Sequence, residues 1–116
     1  MRHFPSIFFL TGSAIFALAT VAGAAWADCP GVTQADMNQC AAADYRKADA
    51  ELTRAYRKLE KTPELRAAER AWIAYRDADC AYEAANDRGG SIAPMVTSMC
   101  LTARTRERIA VLAAGS

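Results

Sequence analysis

The chain has 116 residues, with 14 lysines and arginines against 13 aspartates and glutamates. That length holds one small domain. The charge balance excludes the bulk positive field that nucleic-acid and anionic-membrane binders use.

Residues 1–27 read as a secretory signal peptide. Arg2 and His3 give a short positive start. Ile7 to Ala25 form an apolar stretch interrupted only by Thr11, Gly12, Ser13, Thr20 and Gly23, and Ala25-Trp26-Ala27 is a small-x-small cleavage site. Cleavage there starts the mature chain at Asp28. Cys29 follows, but Asp28 stands where a lipobox needs a small neutral residue, so a soluble product with no stable membrane insertion is expected. Losing Arg2 leaves 13 residues of each sign, a net charge near zero.

Three helices are predicted. The first begins at Thr33, with Asp36 placed for a capping box, and runs to about Glu60. Met37, Ala41, Tyr45, Ala48, Leu52, Ala55, Tyr56 and Leu59 recur at helical spacing along it. Thr62-Pro63-Glu64 stops this helix and starts a second, with Thr62 as N-cap, Pro63 at the first helical position and Glu64 on the positive dipole end. The second helix runs to about Ala85, with Leu65, Ala68, Trp72, Tyr75 or Arg76, and Cys80 on one face. Trp72 is its core aromatic. Asn86-Asp87-Arg88-Gly89-Gly90 breaks the pattern. Ser91 is expected to cap a third helix, which tolerates Pro94 in its first turn and buries Met95, Val96, Met99, Cys100, Ala103, Ile109 and Leu112. Arg104 and Arg106 are expected in solvent, with Arg108 turned inward. Short turns make neighbouring helices antiparallel, so the predicted fold is an all-α three-helix bundle.

Cys29, Cys40, Cys80 and Cys100 all lie in the mature part, and an even count in a short exported chain reads as two disulfides. Their spacings do not resemble a zinc site, and no metal or cofactor is expected. Folding the helices back at residues near 62 and 89 puts Cys40, Cys80 and Cys100 at one end, after Cys29. All three pairings are reachable, with the two local closures, Cys29–Cys40 and Cys80–Cys100, favoured. The same folding places Asp49 opposite Arg76, which predicts a structural ion pair beside Trp72.

The only histidine, His3, leaves with the leader. Histidine-based nucleophilic and acid–base catalysis leave with it, and so small a helical domain has little room for a deep cleft. No catalytic residue is assigned, and the chain is read as a non-enzyme.

Thr33-Gln34-Ala35-Asp36-Met37-Asn38-Gln39-Cys40, the Tyr45…Asp49…Leu52…Tyr56 helix, Ala71-Trp72-Ile73-Ala74-Tyr75-Arg76-Asp77-Ala78-Asp79-Cys80, Gly89-Gly90-Ser91-Ile92 and Cys100…Thr105…Arg108…Leu112 occur in this order. In them the chain resembles the lysozyme-inhibitor LprI N-terminal domain family, also catalogued as domain of unknown function 1311. The Trp-x-x-Tyr-Arg-Asp-x-x-Cys segment is the most specific part. Thr53 and Glu69 stand where Asn and Gln are common in that family. The resemblance implies a periplasmic or secreted bacterial helical domain, with lysozyme inhibition as one activity attested among relatives. The expected partner is a lysozyme or another envelope protein. Asp87, Arg88, Gly89, Gly90 and Ser91 form the candidate binding loop, because the glycines allow close backbone approach and Arg88 suits a carboxylate. The competing expectation is an envelope interaction module without a lysozyme target, anchored by Tyr45, Tyr75 or Tyr82.

Overall fold

A computed structural model describes residue 29 and residues 31–115. The expected leader, residues 1–27, and its cleavage site lie outside the described residues. Three α-helices account for the fold, and no strand occurs among the described residues: α1 (Gln34–Arg57), α2 (Pro63–Glu83) and α3 (Ala93–Ala114).

Local chemistry sets most of their ends. At α1 the Thr33 hydroxyl accepts the Asp36 N–H at 3.1 Å, and the Asp36 carboxylate accepts the Thr33 N–H at 3.1 Å. This reciprocal box satisfies two backbone donors that the first turn leaves open. The hydrogen bonds from Thr33, side chain first, hold the Asp36 carboxyl below the usual aspartate range. The helix ends at Arg57, short of Glu60, and the Lys61 ammonium folds back to donate to the Arg57 and Leu59 carbonyls. Thr62 then caps α2, its hydroxyl accepting the Leu65 N–H at 3.2 Å, with Pro63 in the first turn.

The start of α3 corrects the sequence reading. Ser91 does not cap it; Ile92 occupies the N-cap position without a side-chain bond. The 3-10 turn over Ala84–Asp87 and the Gly89–Gly90 bend move the first helical residue to Ala93, leaving Ser91 in the loop.

The helices pack unequally. α1 and α3 run parallel, and their N-terminal ends meet where the Gln34 amide donates to Met95 Sδ at 3.8 Å and the Asn38 amide donates to the Ser91 carbonyl at 2.9 Å. Small residues make this the close seam: Ala41, Ala48 and Thr105 are all buried, beside Leu52 and Leu112. Without long side chains between them, the two backbones approach closely. α2 runs antiparallel and packs on α3, while its backbone makes no close approach to α1. Large side chains such as Tyr45 and Arg76 bridge part of that distance instead.

The inward face of α2 follows the expected Leu65, Trp72, Arg76 and Cys80, with Glu69 taking the place expected for Ala68. Glu69, Arg76 and Cys80 are its buried residues; Ala68 and Tyr75 are exposed. In α3, Met99 and Ala103 face outward, while Cys100, Thr105 and Leu112 are buried.

The cysteines pair as Cys29–Cys40, with Cα atoms 5.7 Å apart, and Cys80–Cys100, with Cα atoms 5.5 Å apart. These are the two local closures. Each constrains the unfolded chain by about 3 kcal/mol. That is a large share for a domain whose buried aliphatic residues among those described are only Ala41, Ala48, Leu52 and Leu112.

Candidate functional site

The loop joining α2 to α3 is short and tied down on several sides. Within it, the Gly90 N–H donates to the Asp87 carbonyl at 2.8 Å, and the Ala93 N–H to the Gly90 carbonyl at 3.3 Å. Gly89 has φ of 80°, in the left-handed region where a side chain is strained. Space is not the constraint there, because nothing lies within 4 Å of where a Cβ would sit. The Cys80–Cys100 bridge links the two helices that carry the loop, and Asn38 of α1 holds Ser91 from the side.

Of the candidate loop residues, Arg88, Gly89, Gly90 and Ser91 are exposed and Asp87 is half-buried. The Arg88 guanidinium makes no ion pair among the described residues. An unpaired cation thus stands on a loop fixed at its base.

Further along α2, toward its N-terminal half, lies a polar seam built around Trp72. Arg76 is buried, as the helical stripe allowed, but it does not pair with Asp49. Its Nε and Nη2 both donate to Asp77 Oδ1, at 2.9 and 2.8 Å. Asp49 lies on α1, exposed, and its carbonyl accepts the Thr53 hydroxyl at 3.0 Å. Asp77, adjacent on the same helix, takes the ion pair, and the α1 residue that meets the guanidinium is Tyr45 rather than Asp49. The Trp72 ring lies 5.1 Å and the Tyr45 ring 5.6 Å from the Arg76 guanidinium carbon, so two aromatic faces hold the cation. Burial pushes the Tyr45 hydroxyl up, against the opposing pull of Arg76.

Two further ion-pair groups were not legible as pairs in the sequence. Arg108 turns inward, as expected, and meets Glu69 at 2.6 Å from Nε and 2.5 Å from Nη2. Its guanidinium also lies 5.8 Å from the Trp72 ring. Arg104, expected in solvent, instead joins α3 to α2: Nε meets Asp79 at 2.7 Å, Nη2 meets Glu83 at 3.1 Å and Nη1 meets Glu107 at 3.2 Å. These carboxylates, Asp79 first, hold its proton more tightly than usual. Arg106 does lie exposed. Asp79, Glu83 and Cys100 come together in space, but Cys100 is bridged to Cys80 and both carboxylates are engaged by Arg104, so they do not form a ready ligand set.

The lysozyme inhibitor LprI family model matches residues 27–112, essentially all of the described domain. The chain belongs to the LprI family. An uncharacterized protein, R02472, of Rhizobium meliloti (strain 1021) is 41% identical over 105 residues, spanning 73% of this chain and 76% of the relative. No solved structure matches the chain. The residues that carry the LprI resemblance divide between two tasks here. Thr33, Asp36, Cys40, Trp72, Arg76, Cys80, Cys100, Thr105 and Arg108 build the framework, whereas Gly89 shapes the exposed loop.

Proposed function

We propose that the protein is an exported, lysozyme-inhibitor-like binding protein of the bacterial cell envelope that acts through its residue 87–91 loop. Family membership supports the inhibitor class, and two disulfides in a small domain suit an oxidising periplasmic or extracellular setting. No described helix is long and apolar enough to cross a membrane.

The observation that carries the reading is Arg88, exposed and without an ion pair among the described residues, on a loop anchored by Cys80–Cys100 and Asn38. A lysozyme cleft works through two carboxylates flanking the scissile bond. A guanidinium presented there meets them with charge-assisted hydrogen bonds. A loop already ordered in the free protein loses little conformational entropy on entering the cleft. The protein contributes no chemistry of its own in this mechanism; it occupies the site.

A second reading, an envelope interaction module with no lysozyme target, rests on Tyr75 and Tyr82. They lie seven residues apart on α2 and are 58% and 80% exposed, a pair of aromatic anchors on its outward side. A lysozyme activity titration with oxidised residues 28–116 separates the two. The inhibitor reading expects stoichiometric inhibition that Arg88→Glu weakens at least tenfold. Full lysozyme activity at micromolar excess of correctly bridged protein discards it in favour of the module.

A further inference from the structure

The stand-off between α1 and α2 leaves an open groove of about 360 Å³ that is separate from the loop. This is the small end of the range for small-molecule sites. Its apolar surface comes from Leu52, Tyr56 and Ile73, the last 42% exposed. Its charged lining is uneven. Glu69 is already matched by Arg108, and Arg76 by Asp77. Arg66 and Arg70, one turn apart on α2 and both exposed, line the groove and make no ion pair among the described residues. Among the described residues that line it, only Asp49 on the α1 side carries an opposing charge without an ion pair. Lys61 adds a further cation 5.0 Å from the Tyr56 ring centre.

Arg76 supplies the second observation. Its side chain is only 9% exposed, yet its partner is a single carboxylate oxygen on the mostly exposed Asp77, reached through Nε and Nη2. Nη1 of this groove-lining guanidinium makes no hydrogen bond among the described residues and is not enclosed by protein, so it remains open to a ligand. A groove lined by one guanidinium with an open Nη1 and two unpaired exposed ones is matched to an anion.

We propose that this groove binds a small monocarboxylate bearing an apolar group, the carboxylate engaging Arg70 and Arg76 with Arg66 adding attraction, and the apolar group resting on Leu52, Tyr56 and Ile73. The carboxylate end of a peptide and that of a fatty acid share this chemistry. A ligand of this size binds with Kd of about 0.1–1 mM.

The test is a ¹H–¹⁵N NMR titration of the oxidised protein with N-acetyl-phenylalanine, octanoate and, as a control, N-acetyl-phenylalaninamide. Saturable shifts confined to residues around 49–56 and 66–76 are expected with a carboxylate and not with the amide. Preference for N-acetyl-phenylalanine assigns a peptide terminus, and preference for octanoate assigns an acyl chain. Arg66→Gln/Arg70→Gln, at exposed positions, should weaken binding about tenfold with an unchanged urea midpoint, and Asp49→Asn should strengthen it. Absence of groove shifts at millimolar carboxylate, equal binding of the amide, or unchanged affinity in the arginine double variant overturns the proposal.

Discussion

The two ends of the bundle are held by different chemistry. At the loop end, covalent bonds do the work: Cys80–Cys100 ties α2 to α3, Cys29–Cys40 closes the chain entry onto α1, and α1 and α3 meet through small residues such as Ala41. At the end where α1 turns into α2, there is no bridge. α2 is held off α1 by bulky and charged side chains, and the Glu69–Arg108 pair links it to α3. The contrast teaches where rigidity and space are found. A cross-linked, closely packed end can present a fixed loop to a partner, while a propped-open end leaves a groove.

Breaking the covalent end should have the largest effect. Cys80→Ala/Cys100→Ala is expected to lower stability by about 3 kcal/mol in urea unfolding. Amide exchange in residues 86–91 should accelerate more than in residues 57–62. Equal acceleration at both ends would remove the distinction drawn between them.

At the other end, Glu69→Ala leaves Arg108 facing Trp72 without its carboxylate and should cost about 3 kcal/mol or somewhat less, because both partners keep some solvent contact. Glu69→Gln retains an acceptor and should cost only about 1 kcal/mol. If Ala and Gln cost the same, the pair is not what holds α2.

Thr105→Val sharpens the account of the close seam. Thr97 and Thr102 return their hydroxyls to the Ala93 and Ser98 carbonyls four residues back, at 3.0 and 2.9 Å. The Thr105 hydroxyl is fully buried with no hydrogen-bond partner among the described residues. Replacing it with a methyl group of similar shape should stabilise the protein by about 1 kcal/mol in the same urea assay.

The smallest effect concerns the α1 cap. Because Asp36 titrates lower in the folded protein than in the unfolded chain, its contribution is complete above the ordinary aspartate range, near 3.8, and is lost as pH falls through its depressed value. The stability difference between wild type and Asp36→Asn should therefore be flat above that range and shrink on acidification. A difference independent of pH would show that the carboxylate charge is not involved.

Much of the framework was legible because its signals are local. The Thr33–Asp36 box and the Thr62-Pro63 restart are read within four residues, and the two cysteine bridges are the local closures favoured among three reachable pairings. The polar seam was harder. Glu69 lies on the Leu65–Trp72–Arg76–Cys80 stripe, which it completes at intervals of four, three, four and four residues, so periodicity alone could have found it. Its charge argued for solvent, and its partner Arg108 is 39 residues away. Arg104 was misread for the same reason, since two of its three carboxylates belong to another helix. The Asp49–Arg76 expectation failed because Asp77, adjacent on the same helix, takes the ion pair, and the α1 residue that meets the guanidinium is Tyr45.

The most direct test of the central claim, that the covalently held loop is the surface offered to a lysozyme, is an amide NMR footprint of the oxidised protein with a catalytically inactive lysozyme. Perturbation is expected to centre on Asp87–Ser91 and the neighbouring Asn38, with Arg66 and Arg70 unaffected. A footprint centred on the groove, or none at stoichiometric lysozyme, would contradict it.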